Sequence, residues 1–361
     1  MVRFSIKKIQ KILPTLLLAG GLSFSIADAC TRIVFHGDNE RIMTARSMDW
    51  KVDVGTNLWI LPRGIDRTGA ANSKSIHWKA KYGSVIASGY DIATTDGVNE
   101  AGLAANLLWL AESEYPDPHD VDKPTLSLSL WAQYMLDNFA TVQEAVNALE
   151  AEPFIVISDQ VPGDTRLAAL HLSLSDKYGD SAIVEYIDGK QVIHHNKAYQ
   201  VMTNSPAYEK QLALNDYWKQ IGGTVMLPGS NRAADRFVRA SFYINSIPKD
   251  GDERSSLASV FSVIRNVSVP FGLNTEAEPN ISSTRWRTVI DHKARRYFFE
   301  SAVSPNLFWV DLNKVDFSGA EENVKKLDLG PDQSHIFGGE VSGKFEYHPP
   351  FQFLPVRHLE N

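Results

Sequence analysis

The chain carries a single cysteine, Cys30, and it stands directly behind a segment that reads as an export signal. Arg3, Lys7, Lys8 and Lys11 make a basic start, Ile12 to Ile26 supplies an apolar stretch broken by Pro14 and Gly20-Gly21, and Ala27-Asp28-Ala29 fits a small-x-small cleavage pattern. The stretch is too short and interrupted for a membrane span, which takes about 20 apolar residues. A cut after Ala29 would make Cys30 the N-terminal residue. One cysteine forms no internal disulfide even in an oxidising compartment, so the fold must stand on its hydrophobic core. Buried, inert packing is the ordinary fate of a free cysteine, but a position at the cut argues for chemistry. Two rival readings are an uncleaved anchor and a lipoprotein with lipid on Cys30; Ala27 and Asp28 fit the lipid-attachment pattern poorly.

We therefore expect Met1–Ala29 to be a signal peptide and residues 30–361 to form one domain. The mature part would hold 332 residues with 32 Lys+Arg against 42 Asp+Glu, a net charge of −10. A chain of that length buries a large core. An acidic surface without a basic run argues against nucleic acid or an anionic membrane as partner. His194-His195 has no partner at metal-ligand spacing and reads as a solvated strand end, and neither a Cys cluster nor a Gly-rich phosphate loop occurs. No metal and no cofactor are expected. The sequons at Asn266 and Asn280 read as chance.

Short β-patterned runs cover 31–36, 41–46, 57–62, 75–82, 85–88 and 102–110, separated by turn residues such as Gly37-Asp38-Asn39. Helical spacing follows over 126–139 and 141–150, the second opening with a Thr141/Glu144 capping box. Strands are expected again at 154–158, 167–173, 181–187 and 198–203, helices at 207–220, 232–247 and 256–267, and strands at 285–291, 296–302 and 307–311. Without a strand–helix–strand repeat, this order predicts an α+β fold with antiparallel sheets and helices on their outer faces.

An N-terminal cysteine can act without a separate histidine. Its α-amino group, with a pKa of about 7.7–8.0, lies close to the thiol at about 8.5, so one residue supplies nucleophile and base. It still needs a carboxylate to orient the ammonium, cationic or polar groups to favour thiolate, and donors for a tetrahedral oxyanion. Arg46 and Asp49 are the first candidates. Side chains in a regular strand alternate between faces, so both reach the thiol only if the strand ends or bulges between them.

Five further features stand in order along the chain: Cys30-Thr31, the Arg-x-x-Asp-Trp of Arg46 to Trp50, the segment Asp96 to Leu103, the turn Thr203-Asn204-Ser205-Pro206, and Asp235-Arg236-Phe237-Val238-Arg239. Together with Thr284 to Asp291, Arg296-Tyr297 and Trp309, they resemble the choloylglycine hydrolase family of N-terminal nucleophile hydrolases, which includes penicillin V acylases and conjugated bile salt hydrolases. The resemblance implies an αββα sandwich of two antiparallel sheets between helix layers. It makes Cys30 the nucleophile, lays Arg46 against the thiol, and sets Asp49 to hold the amine. Asn204 and the backbone amide of Trp109 would donate to the oxyanion, and Arg236 matches the second arginine of the family site. Tryptophan at 109, together with Trp50, resembles the Gram-negative branch, which often keeps an export signal and a shorter segment between the equivalents of Asn204 and Arg236. Two indoles would offer flat apolar faces to a phenoxyacetyl ring or fatty acyl chain. The expectation is a periplasmic hydrolase of a small N-acyl amide, penicillin V or an acyl homoserine lactone, without stable membrane anchoring and tetrameric as family members often are. A bile salt hydrolase is the alternative enzyme, and a Cys-lipidated envelope binding protein the alternative outside catalysis.

Overall fold

A computed structural model describes residues 30–119, 122–222, 226–273, 282–304 and 306–357. The expected signal segment and Asn280 lie outside these residues. The first strands are β1 (Thr31–His36), β2 (Ile42–Trp50), β3 (Leu58–Leu61), β4 (Asp66–Thr68), β5 (His77–Lys79), β6 (Ser84–Gly89), β7 (Ala93–Asn99), β8 (Ala104–Trp109) and β9 (Thr125–Ser127). Helices α1 (Trp131–Asn138) and α2 (Val142–Glu150) precede β10 (Ile155–Ile157), β11 (Leu170–Ser175), β12 (Ser181–Ile187), β13 (Lys190–His195) and β14 (Val201–Met202). Then come α3 (Tyr208–Ile221), α4 (Ala233–Ser246), α5 (Glu253–Asn266), β15 (Ser283–Asp291), β16 (Arg296–Ser301), β17 (Leu307–Asp311), β18 (Lys325–Leu327), β19 (Gly339–Glu340) and β20 (Glu346–Tyr347).

Two sheets carry the architecture, a seven-stranded one in the order β14-β1-β2-β15-β16-β17-β19 and a nine-stranded one in the order β13-β12-β11-β8-β7-β6-β3-β18-β20. Pairing within them is antiparallel except between β17 and β19. Helices α4 and α5 pack on the seven-stranded sheet and α1 and α2 on the nine-stranded one, which is the αββα sandwich of the N-terminal nucleophile fold. Period-two alternation sorts the side chains. Ile33, Phe35, Met43 and Ala45 cluster with Phe237 and Ile244 of α4 and Val260 and Ile264 of α5. On the other sheet Ala105 and Leu107 join Trp131 and Met135 of α1 in a second apolar cluster.

The layer between the sheets is unusually polar. Arg32, Thr44, Arg46, Asp96, Asn106, Ser173, Ser175, Thr288 and His292 are all buried. Polar groups taken from water destabilise a fold unless they are hydrogen-bonded. Here Asp96 accepts from Asn106 (2.6 Å), Tyr297 (2.5 Å) and Thr288 (3.3 Å), while Thr44 meets Ser175 at 2.8 Å and His292 at 2.9 Å. Arg32 donates to the Leu174 carbonyl at 2.8 Å, to Ser181 at 3.0 Å and to the Tyr199 carbonyl at 3.1 Å. The bonds from Tyr297 and Thr288 to Asp96, from Thr44 to Ser175, and from Arg32 to Leu174 and Ser181 cross from sheet to sheet and fix how the two halves of the site meet.

Several elements differ from expectation. β2 runs on to Trp50, because the polar residues of Arg46 to Asp49 are buried on both faces and the alternation of apolar and polar does not mark them as strand. β7 was not expected at all, since Thr94-Thr95-Asp96-Gly97 has turn composition; pairing to β6 and β8 overrides it. The helix expected over 126–139 opens as strand β9 and a 3-10 turn, Leu128–Leu130, before α1 begins at Trp131. The run 75–82 forms only the short ribbon β5. In the capping box, Thr141 accepts from the Glu144 amide at 3.2 Å, but Glu144 reaches back to the Ala140 amide rather than to Thr141.

Gly97 sits where α1 presses onto β7. A Cβ there would lie 2.8 Å from both Ile86 Cγ2 and the Val85 carbonyl oxygen and 3.0 Å from Leu136. Gly97→Ala should therefore destabilise the protein by about 1–3 kcal/mol through overpacking, seen as a lowered urea midpoint; an unchanged midpoint would show that this contact yields freely.

Candidate active site

Cys30 lies one residue ahead of β1, and the register Arg32↔Arg46, Thr31↔Ser47 sets it across from the end of β2. Its thiol is buried, 3 % exposed, on the inner face of the sheet. Arg46 Nη2 donates toward Sγ at 3.9 Å, and the same guanidinium donates to the Leu107 carbonyl at 2.9 Å and the Thr95 carbonyl at 3.1 Å on the opposite sheet. Arg46 also stacks 4.8 Å from the Trp286 ring.

The alternation rule decides how Asp49 takes part. The bulge at this point lies in β15, where Thr284 faces Asp49 and Trp286 faces Met48 with Arg285 between them, and not in β2. Arg46 and Asp49 thus keep opposite faces. Asp49 meets the thiol with its backbone, its N–H donating to Sγ at 3.5 Å and its carbonyl lying 3.7 Å from Sγ. The carboxylate turns outward to Ser47 Oγ at 3.2 Å and to Thr284 Oγ1. The Cys30 nitrogen donates to Asn204 Oδ1 at 2.6 Å rather than to Asp49. A nitrogen in a peptide bond has one hydrogen to give; a freed ammonium has three.

Asn204 follows β14 in a turn whose Ser205–Pro206 bond is cis. Its amide is oriented without ambiguity. Oδ1 accepts from Cys30 N and from Arg236 Nη2 (2.8 Å), whereas Nδ2 donates to the Trp109 carbonyl at 2.7 Å; a flipped amide would set NH2 against two donors. Trp109 ends β8, and the bond from Leu110 N to the Ala169 carbonyl, with Leu170 opposite Trp109, puts Trp109 at a position that does not bond to β11. Its N–H and C=O therefore leave the same edge of the strand, the one beside Asn204. Arg236 of α4 is fully buried and donates to the Cys30 carbonyl (2.7 Å), Thr31 Oγ1 (2.5 Å) and the Asn231 carbonyl (3.0 Å) as well as to Asn204. All the residues expected at the site thus converge on Cys30 from both sheets and one helix.

Electrostatics here are a contest between burial and nearby charge. Burial pushes the Cys30 thiol up; Arg46, the Asp49 N–H and Arg236 pull it down, while the Asp49 carboxylate adds to the rise. Burial lifts Asp49 to about 6 against the lowering by Arg236, Thr284, Ser47 and Arg287. Asp96 is raised by burial as well, with Arg46 the foremost influence opposing it. With the Cys30 nitrogen in a peptide bond, no strong base lies beside the thiol among the described residues.

Trp50 and Trp109, with ring centroids 5.5 Å apart, wall a cavity of about 140 Å³ that opens from Cys30 and is otherwise lined by side chains such as Met48, Tyr90, Leu128 and Leu170. Trp50 Nε1 donates to Tyr90 Oη at 2.8 Å, and the Arg166 guanidinium lies 5.1 Å from the Trp109 ring. Sequence reasoning missed the roles of Ser47 and Thr284, which hold the Asp49 carboxylate, and the burial of Asp96 near Arg46; a serine, a threonine and a turn-like aspartate carried no signal of burial. His194 and His195 are half-buried and face Glu185 (3.4 Å) and Asp180 (2.8 Å), so they are paired and not a solvated strand end. Among the described residues no group of three or more His, Cys, Asp or Glu is arranged to hold a metal ion.

Residues 30–326 match the family described as linear amide C–N hydrolases, choloylglycine hydrolase family. The chain belongs to the choloylglycine hydrolase family. It is accordingly a hydrolase of linear amides with the N-terminal nucleophile fold. It is 57 % identical to the penicillin V acylase of Pectobacterium atrosepticum over 93 % of this chain and 95 % of that protein. The solved penicillin V acylase from Agrobacterium tumefaciens is 64 % identical, covers 91 % of this chain and 100 % of its own, and superposes with a TM-score of 0.84. A bile salt hydrolase/transferase of Clostridium perfringens is 25 % identical over 85 % of this chain and 99 % of its own. A solved variant of the conjugated bile acid hydrolase from that organism shares the fold at 22 % identity and a TM-score of 0.70, over 83 % of this chain and 97 % of its own.

The raised Asp49 carboxyl has a pH signature. With about 6 in the folded state and an ordinary value of 3.8, the folded chain holds the extra proton between those values, so this group's contribution to stability falls as pH rises through that window. In the full-length chain, where the Cys30 nitrogen is an amide, Asp49→Asn should gain on the wild type from pH 4 to pH 7, by on the order of 3 kcal/mol. Urea midpoints across that range test it; a difference that stays constant would contradict the assignment.

Proposed function

We propose that the chain is exported to the periplasm, is cut between Ala29 and Cys30, and then hydrolyses the side-chain amide of penicillin V as an N-terminal cysteine hydrolase. The family match begins at residue 30, which supports Cys30 as the working N-terminus. The observation that carries the acyl choice is the cavity. About 140 Å³ between two indoles suits one aromatic ring, since a cavity of roughly 150 Å³ holds benzene. Two relatives of more than half identity are penicillin V acylases, which agrees.

The chemistry follows from the geometry. The freed α-amine of Cys30 takes the thiol proton, and Sγ attacks the amide carbonyl, forming a C–S bond. Arg46 and the Asp49 N–H favour the thiolate. The oxyanion is held by the second hydrogen of Asn204 Nδ2 and the N–H of Trp109. The protonated amine then gives its proton to the leaving nitrogen as the C–N bond breaks, releasing 6-aminopenicillanic acid. Water, deprotonated by the same amine, resolves the acyl-thioester. Asp49 and Arg236 hold the amine and Asn204 in place. An acyl homoserine lactone presents the same amide to the same groups, which would make quorum quenching a second activity, and we take the working form to be a tetramer.

Intact mass of the exported protein, before and after penicillin V, tests this reading. A chain beginning at unmodified Cys30 with release of 6-aminopenicillanic acid is expected, and Asn204→Ala should lower kcat by about 10²–10³. Faster turnover of glycine- or taurine-conjugated bile salts would replace the substrate; lipid on Cys30 or another N-terminus would overturn the mechanism.

A further inference from the structure

Behind Asn204 lies a buried histidine–glutamate pair that the reaction above does not use. His171 of β11 and Glu185 of β12 stand one step along from the Leu172↔Val184 pair, on the face turned toward the Thr203–Tyr208 turn, and are 2 % and 1 % exposed. His171 Nε2 is 2.9 Å from the Thr203 carbonyl oxygen, and Nδ1 is 3.1 Å from Glu185 Oε1. A carbonyl only accepts, so Nε2 carries hydrogen. Glu185 is itself ringed by donors: the Tyr208 N–H reaches both carboxylate oxygens (3.0 and 3.1 Å), and His194 Nε2 lies 3.4 Å away. Burial would raise its carboxyl, but the bonds from His171 and His194, the His171 charge and the Tyr208 N–H prevail and bring it down to about 2. With Glu185 on one side and the Thr203 carbonyl on the other, His171 is hydrogen-bonded at both ring nitrogens.

We propose that the His171–Glu185 pair is the positioning element of the oxyanion site, a buried hydrogen-bonded pair that clamps both ends of the turn bearing Asn204. His171 holds the carbonyl of Thr203, the residue before Asn204, and Glu185 holds the N–H of Tyr208, the first residue of α3. Both come from the nine-stranded sheet, which also carries Trp109, whereas β14 leading into the turn belongs to the seven-stranded one. The pair thereby sets the distance between the two oxyanion donors. His171 and Glu185 touch no substrate; they act through Asn204. This rests on the reading that Asn204 Nδ2 binds the oxyanion, where a misplacement of about 1 Å can lower the rate on the order of 10²-fold.

Nitrogen-15 NMR of the histidine-labelled wild type at pH 7, with His171 assigned by comparison to His171→Gln, should show hydrogen on Nε2, the nitrogen that faces the Thr203 carbonyl. A His171 with no hydrogen on Nε2 overturns the proposal, and this reading depends on neither activity nor the folding of any other variant. On the processed enzyme, Glu185→Gln and His171→Gln should lower kcat about 10- to 100-fold while leaving KM for penicillin V within about threefold. Unchanged kcat, or a rise in KM alone, overturns it too. A wild type that spares penicillin V counts against the substrate reading instead; the same kcat and KM comparison is then made on the amide it does cleave, and the NMR result stands unaltered.

Discussion

Arg46 carries a full charge into the layer between the two sheets, where an ion taken from water costs several kcal/mol unless its donors are satisfied. Its bonds to the carbonyls of Thr95 and Leu107 answer part of that cost, Nε staying without a partner among the described residues, and they do so by gripping the opposite sheet. Asp96 lies near enough for Arg46 to oppose the rise of its carboxyl and is held in turn by Asn106, Tyr297 and Thr288 from three further strands. The polar interlayer is therefore the scaffold that puts a cation beside a buried thiol. Remove the cation and the burial of Cys30 and Asp96 loses its justification as well.

The two faces of β2 divide the work. Arg46 and Met48 look inward to the thiol and the cavity, while Ser47 and Asp49 look outward to Thr284 and toward the helix that brings Arg236. Cys30 sits where these faces meet, its sulfur on one side and its backbone on the other. A nucleophile and base supplied by one residue need that arrangement, since the sulfur must see the substrate while the nitrogen is held by the scaffold.

Much of this was legible in the residues themselves, and the exceptions have a common cause. β1, β12 and β17 fall where hydrophobic alternation sets them, because each has apolar residues on at least one buried face. The convergence of Cys30, Arg46, Asn204 and Arg236 was readable from motif order. What escaped were positions where a polar residue is buried: β7 with Asp96, the far end of β2, and His171 and Glu185 on adjacent strands. Periodicity detects apolar burial, and a strand that buries hydroxyls and carboxylates looks like a turn. The role of Asp49 was half legible. Alternation correctly predicts that its side chain cannot share a face with Arg46, but nothing in the residue order reveals that the backbone N–H would reach the thiol instead.

The nitrogen of Cys30 is held by Asn204 inside a site whose cysteine is 3 % exposed. A peptidase must wrap an extended stretch of chain around the bond it cuts, and a bond whose nitrogen is enclosed by two sheets and a helix is out of its reach. If the chain is cut here as proposed, a separate peptidase would have to act before the sheets close. A chain that kept its leading residues through folding would have the full architecture while the Cys30 nitrogen stayed an amide, without a base.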